Sequence, residues 1–130
     1  HHPAYSSDEN DYGDTWSGPS TRGDLRTRKL VPLFDRYGVD IVWNGHIHSY
    51  ERTWPLREDH AASPGNGTVY MITGGGGGGL ETPGPIRPFF QHTVKRGHHL
   101  CYVAVNGNTL ELKSYDLAGQ LFDTTTIQKR

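Results

Sequence analysis

Two stretches near the C-terminal end constrain the fold most. Residues 100–105 (LCYVAV) and 109–115 (TLELKSY) each alternate in character, and Asn106-Gly107-Asn108 lies between them. Successive side chains of a strand point to opposite faces, so alternation around an Asn-Gly turn reads as a hairpin. A third such stretch, residues 121–127, follows Ala118-Gly119. The C-terminal third is therefore expected to be an antiparallel meander. Residues 25–37 carry Leu30, Phe34 and Tyr37 at helical spacing, with Val31 and Leu33 beside them, and Pro32 inside the span can split or kink the helix. Asp24 is placed to cap its start and Gly38 to stop it. Residues 39–43 and 68–73 read as buried strands. The order helix, glycine, strand, Gly-His loop belongs to an α/β layout with a mixed sheet. With no internal repeat and no clear linker, residues 1–130 read as one domain.

Composition narrows the possible partners. The net charge of −1 gives no broad basic field for nucleic acid or a membrane surface. The hydrophobic share is 33%, and 17 glycines with 8 prolines imply many loops, while 11% aromatic residues argue against disorder. The single cysteine, Cys101, excludes an intramolecular disulfide and reads as a strand thiol. No apolar run reaches membrane-spanning length, and no signal peptide is read. The chain starts without methionine on His1-His2, which reads as a fragment or a processed product.

The segment NGHIHSYER, Asn44 to Arg52, is the strongest chemical signal. In an extended segment residues i and i+2 share a face, so His46 and His48 are expected to reach one small region past the end of strand 39–43. Ligands of open α/β sheets bind in that region, and imidazole is a ready metal ligand. Gly45-His46-Ile47-His48-Ser49-Tyr50-Glu51-Arg52 resembles the GHxHxYER segment of the purple acid phosphatases, within the calcineurin-like metallophosphoesterases. His1-His2-Pro3-Ala4-Tyr5-Ser6-Ser7 resembles their upstream His-x-Pro-x-Tyr segment. The strand at Val69 to Thr73 leading into the glycine run of residues 74–79, then Gly97-His98-His99-Leu100, is similar to later parts of the same enzymes.

The resemblance implies an α/β fold, the C-terminal half of a metallophosphoesterase-type β-sandwich flanked by helices and ending in the meander. It implies metal-dependent phosphoester hydrolysis, in which a dinuclear centre activates hydroxide for in-line attack on a phosphate ester. Its metals would be iron with zinc, manganese or a second iron. His1 and His46 would ligate one metal and His48 the other, while Tyr50, Glu51 and Arg52 buttress the loop. A secreted or periplasmic location goes with the family. The sequence also departs from it. The family's GDxxY and GNH segments, which carry the bridging carboxylate, the colour-giving tyrosine and the asparagine ligand, do not occur. They are expected upstream of His1, so the upstream half of the domain is an expected partner and the chain alone is expected to be inactive.

Two other functions compete. A non-enzymatic phosphatase-like module would bind an upstream half-domain or another partner. An oxidative enzyme could hold copper through the His1 amino group and a second histidine, which leaves GHxHxYER unexplained. The acidic run from Asp8 to Asp14 fails as an EF-hand, because Tyr12 and Pro19 occupy ligand positions, and it reads as a solvated loop that would overhang the metals. Arg22-Gly23-Asp24 reads as a helix start, and Asn66-Gly67-Thr68, a potential glycosylation sequon, as a turn. The glycine run lacks the Lys and Ser/Thr of a phosphate loop and reads as a tight crossing. His98 and His99 flank a strand start and are not read as ligands.

Overall fold

The computed structural model describes residues 1–8 and 23–129. Most of the acidic run 8–14 and Arg22 lie outside the described residues. Three layers are stacked. The middle one is a mixed sheet of β1 (Ile41–Asn44), β2 (Tyr50–Thr53), β5 (Val69–Thr73) and β6 (Gln91–Lys95), in the order β1-β5-β2-β6. β1 and β5 run parallel, and β2 runs antiparallel to both of its neighbours. A small hairpin, β3 (Leu56–Arg57) with β4 (His60–Ala61), stands apart.

The expected meander is present. β7 (His99–Asn106), β8 (Thr109–Asp116) and β9 (Leu121–Gln128) form an antiparallel sheet in sequence order. Asn106 pairs with Thr109, so the loop between β7 and β8 is Gly107-Asn108, one residue shorter than the sequence suggested, with Gly107 at φ 57°. The meander covers one face of the mixed sheet: Tyr50, Val69 and Met71 pack against Leu112 and Ile127. Alternation sends Tyr70 to the other face, where it meets Tyr5, Ala4, Val31, Leu56 and Phe90. Tyr5 is central there, 4.6 Å from the Tyr70 ring and 5.2 Å from Phe90, with the Arg28 guanidinium 3.5 Å above it.

The helical region splits, as Pro32 allowed. α1 (Leu25–Arg28) starts at Asp24, whose carboxylate accepts from the N–H groups of Arg26 and Thr27. α2 (Val31–Tyr37) carries Pro32 in its first turn and ends at Gly38 in the left-handed conformation. The apolar face is not the expected one. Leu30 and Tyr37 are exposed, and Val31 with Phe34 makes the contact to the sheet. Splitting the helix at Lys29-Leu30 breaks the phase that the periodicity argument assumed. No helix among the described residues is long and apolar enough to cross a membrane.

Candidate functional site

The parallel strands β1 and β5 end on the same side of the sheet, and both lead into the site: β1 into Asn44-Gly45-His46, β5 into the glycine run. The N-terminal segment is fastened beside them. Gly45 N–H donates to the His1 carbonyl (3.1 Å), and the Asn44 side-chain amide donates to the His2 carbonyl (3.1 Å). From Pro3 to Asp8 the segment is buried.

Residues 45–49 are not extended, so the shared-face argument for His46 and His48 is overturned. Ile47 N–H donates to the Gly45 carbonyl (2.8 Å), and His46 sits at φ 67°. A γ-turn with positive φ at its centre is the rare, strained form, and such a residue costs about 1–3 kcal/mol. Ile47 is fully buried against Ile72 and pins the turn. The turn aims His46 back at the N-terminus, where its Nδ1 lies 3.0 Å from Nε2 of His1. The His2 ring stacks at 4.1 Å on His46.

His48 points elsewhere. Its Nδ1 donates to the Gly79 carbonyl (2.8 Å), its backbone N–H donates to Glu81 (2.6 Å), and its carbonyl accepts from Glu81 N–H (3.1 Å). The glycine run is the tight crossing the sequence suggested. A Cβ on Gly78 would lie 2.5 Å from the His48 ring, and one on Gly74 would lie 2.0 Å from the Ile47 carbonyl oxygen. His98 and His99 are used structurally: their Nδ1 atoms meet the carbonyls of Gly75 and Gly97, and burial pushes the His99 imidazole below its ordinary pKa.

Glu51 and Arg52 follow on β2 as buried charges on opposite faces. Glu51 accepts from Ser6 Oγ (2.9 Å), Ser7 N–H (2.8 Å) and Gln91 (3.4 Å), so it ties the histidine-bearing segment to the sheet. Burial raises its carboxyl above the usual range, against those hydrogen bonds. Arg52 makes a bidentate pair with Asp123 at 2.7 and 2.8 Å, and Tyr50 also donates to Asp123 (2.6 Å). Sequence reasoning missed Asp123 and Gln91 entirely and gave Ser6 and Ser7 no role of their own, because no local pattern marks partners 40 to 73 positions away.

The donor set fits part of a metal centre. Two imidazole nitrogens bound side by side to one ion at about 2.0–2.1 Å stand roughly 3 Å apart, which matches the His1–His46 spacing. A carbonyl on Nδ1 of His48 fixes the tautomer whose Nε2 lone pair can take a metal. Nearby, Asn44 Oδ1 is buried without a hydrogen-bond partner among the described residues. No three His, Cys, Asp or Glu side chains among the described residues are grouped to hold a metal ion.

No family model matches the chain. A nucleotide pyrophosphatase/phosphodiesterase of Hordeum vulgare is 33% identical over 114 residues, 77% of this chain and 30% of that protein. The "Probable inactive purple acid phosphatase 1" of Arabidopsis thaliana is 39% identical over 67 residues, 45% of this chain and 11% of that protein. The structure of a purple acid phosphatase from yellow lupin seeds superposes with a TM-score of 0.73 at 29% identity, covering 99% of this chain. The chain belongs to the purple acid phosphatase family. It corresponds to a C-terminal part of that fold and spans 24% of the lupin chain. The relatives are phosphatases and phosphodiesterases by name, some of them designated inactive, so the parent family is one of hydrolases.

Proposed function

We propose that this chain supplies the histidine side of a dinuclear metal centre for phosphoester hydrolysis. His1 and His46 hold one metal and His48 the second. The observation that carries this reading is the strained turn at His46, which brings its Nδ1 to 3.0 Å from His1 Nε2. Strain of this kind persists where the surrounding structure imposes it, commonly at functional sites. The metals, when bound, supply a nucleophile at neutral pH and charge neutralisation for in-line displacement at phosphorus. The chain's own residues orient the ligands. Gly79 keeps the His48 proton on Nδ1, and Glu51 anchors the segment that bears His1. Iron paired with zinc, manganese or a second iron is the metal set we assign, and a secreted or periplasmic location is the one we propose, supported by the family resemblance. The carboxylate ligands come from an upstream part of the same domain, docked on the β1 edge, which no strand pairs among the described residues and where Trp43 is exposed.

Metal analysis and turnover of p-nitrophenyl phosphate by the full-length parent and by the isolated chain test this. The parent should be active and lose metal and activity on His46→Ala or His48→Ala, and the isolated chain should be inactive. Metal-dependent turnover by the isolated chain would overturn the divided site. A parent whose metal content ignores both substitutions would overturn the ligand assignment.

A further inference from the structure

A second site lies at the opposite end of the mixed sheet. β2 runs antiparallel to β5, so its last residues, and Trp54 after it, stand away from the histidines. A cavity of about 480 Å³ opens there between β2 and β9, lined by Arg52, Trp54, His92 and Thr125 among others. That volume falls within the roughly 300–1,000 Å³ of small-molecule sites. The Trp54 indole is 47% exposed, so a large aromatic wall is offered to a ligand. It packs edge-on against His92, with ring centroids 4.2 Å apart.

The polar groups of the cavity are set for a neutral ligand. Arg52 is 4% exposed, and its charge is matched by Asp123 through Nε and Nη2. Its other terminal nitrogen, Nη1, has no hydrogen-bond partner among the described residues and is not enclosed. Arg52 Nη2 also donates to His92 Nδ1 (2.9 Å), because a guanidinium can only donate. That bond requires a neutral His92 with its proton on Nε2. Burial, then the Arg52 charge, push the His92 pKa down, in agreement. The Asp123 carboxylate is taken up by Arg52 and Tyr50, and the Thr93 hydroxyl donates to His92 Nδ1 (2.7 Å). Thr125 stands on the inward face of β9, in alternation with Asp123 and Ile127.

An anion would face the Asp123 carboxylate, and a cation would face Arg52. A purely apolar ligand would leave the Arg52 and His92 donors unpaired. A sugar ring meets all these demands, since it has an apolar face for the indole and hydroxyls that both accept and donate. We propose that this cavity binds a neutral pyranose, stacked on Trp54 and hydrogen-bonded by Arg52 Nη1 and His92 Nε2. The proposal is independent of the metal site.

Indole N–H resonances of the 15N-labelled chain report the test directly. The probes are glucose, galactose, mannose and N-acetylglucosamine, with adenosine and inorganic phosphate as competing chemistries. At least one sugar should shift the Trp54 indole saturably, in the millimolar range expected for a ligand of about a dozen heavy atoms, while the Trp43 resonance stays in place. His92→Ala should weaken that binding about fivefold, the loss of one hydrogen bond. In Trp54→Ala, shifts at the Thr125 amide should vanish while the rest of the spectrum keeps its folded dispersion. No saturable shift with any of the sugars, or a shift with adenosine or phosphate alone, would overturn the proposal.

Discussion

Glu51 and Arg52 are neighbours on one strand, equally buried at 4% exposure, and secured in opposite ways. Arg52 faces the meander and meets a full opposite charge in Asp123, held bidentately. Glu51 faces the N-terminal segment and meets only neutral donors, Ser6, Ser7 and Gln91. The first arrangement locks two sheets together. The second holds a segment in place by several modest hydrogen bonds, and that segment carries His1. The charge-paired attachment lies on the face away from the candidate metal ligands, and the ligand side is held by hydrogen bonds from neutral donors.

The largest expected effect tests the ion-pair side. Asp123→Ala leaves a buried, uncompensated guanidinium and should cost about 3–5 kcal/mol in a denaturation experiment. Replacing both partners by apolar residues, Arg52→Met with Asp123→Leu, should cost far less. Equal costs for the single and double variants would show that the pair contributes through packing alone. Next comes Glu51→Ala, expected to cost about 1–3 kcal/mol through Ser6 and Ser7 left without their acceptor. Amide exchange in residues 2–8 should rise selectively. Uniform acceleration across all strands would show that Glu51 does not hold the N-terminal segment separately from the sheet.

The two carboxylates should also respond oppositely to pH. Glu51 is raised in the fold, mainly by burial, so its contribution is fully present below the unfolded pKa and lost as pH rises through the folded one. Burial alone would raise Asp123, but the hydrogen bonds from Arg52 and Tyr50 hold it below the usual range. Its contribution is present above the unfolded pKa and lost as pH falls through the folded one. Thermal melts across the acid range should therefore show Glu51→Gln gaining on the parent as pH rises and Asp123→Asn gaining as pH falls. Parallel curves would refute the opposed linkage. The smallest effect is Asp24→Ala, about 1 kcal/mol for a lost helix cap, measurable as a shift in the denaturation midpoint.

Much of this was legible beforehand where the signal is local. The Asp24 cap, the Gly38 stop, β5 and the three meander strands follow from contacts a few residues apart. β2 and β6 were not read, because YERT and QHTVK carry charged and polar groups where a buried strand is expected to be apolar. The burial of β2 depends on partners such as Asp123, 71 positions from Arg52. The helix face was misread because one break at Lys29-Leu30 shifted its phase.

By itself the sequence determined β1, β5, the meander strands and the helix caps, and it marked His1, His46 and His48 through their resemblance to a known motif. It placed the last two on one extended face, since period two is all that spacing can say. Only the tertiary structure decided that the chain turns at His46, that His1 meets it, and that His48 is held separately by the glycine run. Those outcomes depend on carbonyls and rings brought together from distant positions, and a buried charge or a strained dihedral is fixed by the surroundings that compensate it.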